Sequence, residues 1–499
     1  MSEVYTQNRP FLVVILDGWG SAPDSECNAI SRAQPKTFLK LWNNYPHAEL
    51  HASGAYVGLP DGWVGNSEVG HYTIGAGKIV KQSITQLQTA LATGELFTNN
   101  ALTSSLSACA RSKKTVHCIG LLSDAGVHSH INNLYAYIRA AHEAGVSKIL
   151  VHAILDGRDT DPHSAKQYLT QLEDVLLRYP NAHIGSIHGR WYAMDRDGHV
   201  ERTCKTVHVL LQSTAPTPWR IALEQGYQNG LTDEYIVPTS CIDHSIINPD
   251  DGVLLYNTRP DRIRQLVQAL TNSNKIFCNI KAPRLAWIIS PVSYGPDSPT
   301  IALYDTPRTT VTLRSILARE KIPVLMIAET EKTAHVTYFI GCGRTQPYST
   351  EHIFTVPSLP VRSYAEAPHM SAAQITDTVL ESMKNHAATV YIINYANADM
   401  VGHTGDFEAT KKAILSVDFE LERLYTALQT TGGSMLIIGD HGNAEKMCDA
   451  ITKKPWPGHT VNPVPALFVS HKKKHTLTMH SLADVAPFIL TELGISFPE

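Results

Sequence analysis

No apolar run in this chain approaches the roughly 18 residues needed to span a bilayer, so a membrane-embedded protein is not expected. Net charge is nearly absent as well: 42 Lys and Arg stand against 46 Asp and Glu, a balance of −4. Without a positive field there is no general attraction to nucleic acid or to an anionic lipid surface, and recognition of an anion must be local. The eight cysteines, at 27, 109, 118, 204, 241, 278, 342 and 448, contain no Cys-x-x-Cys pair to suggest a zinc knuckle or a redox motif. Reduced thiols in a cytoplasmic protein are expected. The polar segment Met1 to Pro10 and the brief apolar run Phe11 to Leu16 do not resemble a signal peptide. Internal repeats and long low-complexity segments are missing too, and Lys472 to Lys474 reads as a solvated turn.

What is present is length and rhythm. At 499 residues the chain exceeds what one hydrophobic core usually serves, and two domains are expected. Short runs of Val, Ile and Leu recur, each closing on polar residues: Phe11 to Leu16 before Asp17, Thr115 to Leu122 before Asp124, Lys148 to Leu155 before Asp156, Val390 to Tyr395 before Asp399, and Met435 to Ile438 before Asp440. Runs without alternation read as parallel strands covered on both faces, with helices between them. Ile414, Val417, Leu421, Leu424 and Leu428 recur at spacings of three and four, a helix joining the strand before Asp399 to the strand before Asp440 in a β-α-β unit. In such sheets ligands gather outside the carboxyl ends of strands, where Asp17, Asp399 and Asp440 fall. Mid-chain strands end instead on Arg158-Asp159, Gly189-Arg190 and Arg259-Pro260-Asp261-Arg262, a basic rim. Because the acidic set is split around the basic one, the expected fold is α/β, with a first α/β domain (1–81 and 311–499) interrupted by a second (82–310).

Each candidate ligand has an ordinary reading beside the functional one. Asp399 and His403 would share one face of a helix and could present two ligands to one ion, although chance alone supplies about one such spacing in a chain of this composition. Asp440-His441-Gly442-Asn443 follows a buried strand on a tight turn, where adjacent ligands can reach two ions; a cap beside an exposed histidine would look the same. His459, in Pro457-Gly458-His459-Thr460, reads alone as a solvated loop residue. Asp17 could be a helix cap, yet Gly18-Trp19-Gly20 after it would let backbone approach a ligand closely. Together these carboxylates and imidazoles suit manganese or zinc, and Ser67 supplies a hydroxyl such ions activate. From its own segment, Gly65-Asn66-Ser67-Glu68-Val69-Gly70-His71, Ser67 reads first as a capping serine and second as the start of a helix whose free N–H groups hold a phosphoryl group. Val69 stands where the Gly-x-Ser-x-Gly elbow of hydrolases needs glycine. The set points to phosphoryl chemistry.

Asp17-Gly18-Trp19-Gly20, Gly65 to His71, Asp124-Ala125-Gly126-Val127-His128-Ser129-His130, Asp156-Gly157-Arg158-Asp159, Arg259-Pro260-Asp261-Arg262, Glu329-Thr330-Glu331-Lys332, Asn394 to Gly405 and Gly439-Asp440-His441-Gly442-Asn443 run in order over nearly the whole chain. In this it resembles the cofactor-independent phosphoglycerate mutases of the alkaline phosphatase superfamily. The resemblance implies two manganese ions, other divalent metals being possible, and no bisphosphoglycerate cofactor. One ion would sit on Asp399, His403 and His459, the other on Asp17, Ser67, Asp440 and His441. It further implies that Ser67 is the phosphorylated nucleophile and that Lys332 faces the phosphoryl group. His128, Arg158, Asp159, Arg190, Arg196, Arg259 and Arg262 correspond to positions binding 3-phosphoglycerate or 2-phosphoglycerate, with Asp159 the candidate proton shuttle. Arginine forks match carboxylate and phosphate with paired hydrogen bonds. A cytoplasmic monomer acting on a small molecule, with no nucleic-acid or membrane partner, is expected.

Three departures from the family pattern leave loop geometry open: the Phe339 to Pro347 stretch lacks the Asn-Gly-Gly-rich form, Ala398 stands where proline is common, and Thr258 replaces a frequent phenylalanine. None removes a ligand. A related metal-dependent phosphatase, phosphodiesterase or phosphopentomutase would share the metal core, but the arginine segments fit a small acid and offer no nucleoside pocket. A non-catalytic metal-binding scaffold would need no nucleophile at Ser67.

Overall fold

The computed structural model describes residues 9–196, 198–271, 278–295, 298–304, 309–449, 451–470 and 476–498; the first eight residues and Lys472 to Lys474 lie outside them. The chain divides into two compact units, Met1–Gln82 with Pro307–Glu499, and Ser83–Thr306.

Seven strands of the discontinuous unit form one sheet, in the order Glu351–Val356, Val324–Glu329, Val390–Tyr395, Phe11–Leu16, Ser434–Gly439, Val464–Val469 and His47–Leu50. The first five are parallel, while the last two pair antiparallel. The runs expected as parallel strands do pair in parallel, and the antiparallel edge lies outside them: Val464–Val469 is as fully buried as its parallel neighbours, because an apolar run reports burial, not direction. The Phe407–Thr431 helix buries Ile414, Val417, Leu421, Leu424 and Leu428 to 1 % exposure or less. Each such side chain contributes about 1.5–3 kcal/mol. The helix does join Val390–Tyr395 to Ser434–Gly439, but Phe11–Leu16 lies between those strands and pairs with both. The register sets Leu16 beside Tyr395 and beside Gly439, so Asp17 and Asp440 leave the sheet at one level.

The inserted unit has its own seven-stranded sheet, ordered Thr239–Ser240, Ala182–Gly189, Lys148–Leu155, Thr115–Leu122, Gly252–Leu255, Trp287–Val292 and Ile301–Tyr304. All pairs are parallel except the first. A line of buried polar groups crosses its core. His117 Nε2 lies 3.3 Å from Asp251 Oδ2, His117 Nδ1 2.9 Å from His152 Nε2, and Ser186 Oγ 2.6 Å from both His152 Nδ1 and His188 Nε2.

Two disulfides overturn the expectation of reduced thiols: Cys27–Cys448 in the first unit and Cys204–Cys278 in the second. Partners separated by 421 and 74 residues leave no trace in local spacing, yet the fold sets their Cα atoms 5.1 and 5.3 Å apart, inside the range a disulfide bridges. No helix of the described residues is long and apolar enough to cross a membrane.

Candidate active site

Four parallel strands deliver the candidate residues to one rim of the first sheet. Phe11–Leu16 ends at Asp17, Val324–Glu329 leads into Lys332, Val390–Tyr395 leads into the Asn397–Gly402 helix bearing Asp399, and Ser434–Gly439 ends at Asp440-His441. Ser67 comes from elsewhere, as the first residue of the Ser67–Ala76 helix. Asn66, not Ser67, caps that helix through the N–H groups of Glu68 and Val69, which leaves the Ser67 hydroxyl for the site. Ser67 Oγ lies 3.0 Å from Asp17 Oδ1, 2.9 Å from His441 Nε2 and 2.7 Å from Lys332 Nζ. Lys332 also donates to Asp17 Oδ1 and Asp399 Oδ2, both at 2.6 Å.

Burial, the largest single influence, would raise the pKa of both carboxyls, but the Lys332 ammonium together with the neighbouring histidines, His441 at Asp17 and His403 and His459 at Asp399, holds both well below the ordinary carboxylate range. The same pairing raises Lys332 against the effect of its own burial. His441 is held up to about 9 because Asp440, Asp17 and Asp399 outweigh burial, whereas burial and the neighbouring His441 push His459 down to about 4.

The donor set fits divalent cations. Among the described residues no well-aligned hydrogen-bond donor meets the buried Asp399 Oδ1, while His403 Nε2, His459 Nε2 and His441 Nε2 approach it at 3.2, 3.3 and 3.7 Å. His403 Nδ1 faces the Pro457 carbonyl and His459 Nδ1 the Gly65 carbonyl, each at 2.8 Å. A carbonyl can only accept, so each Nδ1 carries the proton and each Nε2 turns a lone pair inward, the arrangement that outer partners impose on metal-binding histidines. Among the described residues no well-aligned donor meets the buried Asp440 Oδ2 either, with His71 Nδ1 3.2 Å away. The backbone approach that Gly18-Trp19-Gly20 suggested serves the protein's own carboxylate: Gly18 N–H donates to Asp440 Oδ1 at 3.1 Å.

In the inserted unit the arginines gather outside the strand ends, but the rim is not simply basic. Buried Arg190 donates to Asp156 at 2.5 Å and Asp159 at 2.6 Å. Arg196 and Arg259 lie 3.3 and 3.2 Å from Asp261, and Arg158 lies 3.8 Å from Glu234. Buried His128 stands 3.9 Å from Asp159 and 3.6 Å from Asp261. Burial, then Arg259, Arg190, Arg262 and Arg196, keep its pKa well below the usual value, so it is neutral. Burial, followed by Arg196, Arg158 and Arg190, brings Arg262 down to about 10. These like charges favour an anion among them.

The Metalloenzyme superfamily matches residues 9–497. A 2,3-bisphosphoglycerate-independent phosphoglycerate mutase of Coxiella burnetii (strain Dugway 5J108-111) is 41% identical, the match covering 100% of this chain and 98% of that protein. One from Nitrosococcus oceani is 37% identical over 99% and 97%. This chain belongs to the 2,3-bisphosphoglycerate-independent phosphoglycerate mutases. The fold agrees: a phosphoglycerate mutase of Leishmania mexicana, solved at low cobalt concentration, superposes with a TM-score of 0.86 at 29% identity, covering 100% of this chain and 97% of that one.

Of the residues expected to depart from the family pattern, Thr258 has a visible consequence. Thr258 donates through N–H and Oγ1 to the His128 carbonyl, at 2.7 and 3.3 Å, and so ties a strand end to the His128 loop. Ala398 is buried inside the short helix bearing Asp399. Residues without an assigned role also prove central. His71 Nδ1 donates to the Ser67 carbonyl at 2.8 Å, and Asn394 Nδ2 lies 3.0 Å from His71 Nε2 and 2.7 Å from Asp17 Oδ2. Both stand inside the family segments, but their roles depend on contacts between segments that no local pattern displays.

Proposed function

We propose that this protein interconverts 3-phosphoglycerate and 2-phosphoglycerate, an isomerase reaction of glycolysis and gluconeogenesis, through a phosphoserine at Ser67. The observation that carries the reading is the convergence of Lys332, Asp17 and His441 on Ser67 Oγ within 2.7 to 3.0 Å. Asp399, His403 and His459 would hold one divalent ion and Asp17, Ser67, Asp440 and His441 a second, manganese in our reading. Bound there, the ions would lower the hydroxyl pKa of Ser67 and neutralise phosphoryl charge.

The side chains account for the rest. Ser67 Oγ, having lost its proton, attacks phosphorus; the P–O bond to glycerate breaks, the leaving oxygen takes the proton that Asp159 carries, and the Lys332 ammonium offsets charge on the phosphoryl oxygens. The arginines hold the carboxylate of the released glycerate while it turns. Its other hydroxyl then gives its proton to Asp159 and takes the phosphoryl group back from Ser67. Arg190 keeps the Asp159 carboxylate in place. No bisphosphoglycerate is needed, because the enzyme carries the phosphoryl group itself.

The same reading takes the protein as a cytoplasmic monomer with a small-molecule substrate; the disulfides would then face cellular dithiols that favour their reduction. The test incubates purified protein with 3-phosphoglycerate and Mn2+, without bisphosphoglycerate, and follows 2-phosphoglycerate with and without chelator. Formation that stops on chelation is expected. Ser67→Ala is expected to bind Mn2+ yet form no product, and turnover by that variant would rule out the covalent route.

A further inference from the structure

Glu445 is 2 % exposed and lies four residues past His441. Its two carboxylate oxygens are divided between two turns. Oε2 accepts from the Asn443 N–H at 2.8 Å, on the turn that carries Asp440 and His441. Oε1 accepts from Asn462 Nδ2 at 3.0 Å and from the Thr460 hydroxyl, on the turn that carries His459. The two turns also meet through the Thr460 N–H and the Gly442 carbonyl at 3.1 Å. Glycines make room for the carboxylate: a Cβ on Gly20 would lie 2.2 Å from Glu445 Cδ, and one on Gly442 2.5 Å from Oε1. Gly20 belongs to the turn after Asp17. One buried carboxylate therefore lies against all three turns that present Asp17, Asp440-His441 and His459.

We propose that Glu445 is a positioning residue for the metal centre, holding His459 in register with Asp440 and His441 so that both ions are bound tightly. The proposal rests on the ligand assignment made above. Both arms of Glu445 meet donors, so both oxygens must accept. Glu445→Gln keeps the size but sets an NH2 group against one arm, and Thr460→Val removes one donor from the other.

The test titrates Mn2+ into metal-stripped, full-length wild type, Glu445→Gln, Thr460→Val and the double variant by calorimetry, with thermal unfolding of each metal-free protein alongside. Wild type is expected to bind Mn2+, and Glu445→Gln to bind it about 10- to 100-fold more weakly, the range for outer partners of metal ligands. Thr460→Val is expected to weaken binding less, and the double variant to fall short of the product of the two single effects, because both act through one carboxylate. Activity of Glu445→Gln should recover at saturating Mn2+. Should Glu445→Gln fail to fold, Thr460→Val carries the same comparison. A lowered melting temperature with unchanged Mn2+ affinity would overturn the proposal and leave the ligand assignment standing. Wild type that binds no Mn2+ would overturn the ligand assignment itself.

Discussion

Lys332 Nζ sits 2.7 Å from Ser67 Oγ, though 265 residues separate them in sequence. The same ammonium bridges two buried carboxylates, Asp17 and Asp399. Lys332→Met keeps the aliphatic stem and removes the charge. It is expected to lower kcat by roughly 10²- to 10³-fold, the scale for loss of one stabilising donor. In metal-free protein it should also cost about 3–5 kcal/mol of stability, because two buried carboxylates lose their partner. Steady-state kinetics with Mn2+ and urea unfolding without it measure the two effects. An unchanged kcat would remove Lys332 from the chemistry.

Arg262 is the reverse case, a charge the fold disfavours. Its pKa, brought down to about 10, means that the unfolded chain holds this proton more firmly, so the charge costs stability at every pH below that value. Arg262→Met is expected to leave thermal stability unchanged or raise it by on the order of 1 kcal/mol, after allowance for partial exposure. KM for 3-phosphoglycerate should rise roughly 10- to 100-fold, the worth of a charged hydrogen bond. Loss of stability with unchanged KM would place Arg262 outside substrate binding.

The buried line His117, His152, Ser186 and His188 makes stability fall in acid. Burial lowers all three histidines, His188 to about 3, from an ordinary value of 6.5, while Asp251 partly restores His117. The folded state therefore binds fewer protons than the unfolded chain below that value. This stability is complete above the unfolded pKa and drains as pH falls, by up to about 1.4 kcal/mol per histidine per pH unit. Unfolding free energies of the inserted unit extrapolated from urea midpoints at about pH 7 and about pH 5.5 should differ by a few kcal/mol. Equal midpoints would mean that the chain of imidazoles takes up protons without penalty.

Alkylation distinguishes the paired cysteines from Cys109, Cys118, Cys241 and Cys342, which are free and buried. In denaturant without reductant, alkylation is expected at these four alone, and at all eight cysteines after reduction. Cys204→Ser with Cys278→Ser is expected to destabilise the inserted unit by about 2–5 kcal/mol. Eight modified thiols before reduction would show the pairings to be absent.

Much of the architecture was legible because it is written locally. Val390 to Tyr395 reads as a buried strand from its own side chains, and Ile414 to Leu428 as a helix from its spacing. The polar residue closing each run then places Asp17 and Asp440 at strand ends. Local pattern is silent where meaning depends on distant partners. Val464–Val469 looks like its parallel neighbours but runs the other way, and Cys27 finds Cys448 across 421 residues. Ser67 looked like a cap until Asn66 was seen to hold that position. Glu445 is an ordinary glutamate after a glycine turn in sequence, and only the fold makes its two oxygens join separate turns.

The sequence by itself determined the α/β class and the chemical character of the rim, because strand length, helical period and the residue ending each strand are properties of neighbours in the chain. Tertiary structure alone decided which groups share the centre. Ser67 reaches Asp17 across 50 residues, and Gly18 reaches Asp440 across 422. Such contacts arise from parallel register and helix packing, and so from the free energy of the whole fold rather than from any segment of it.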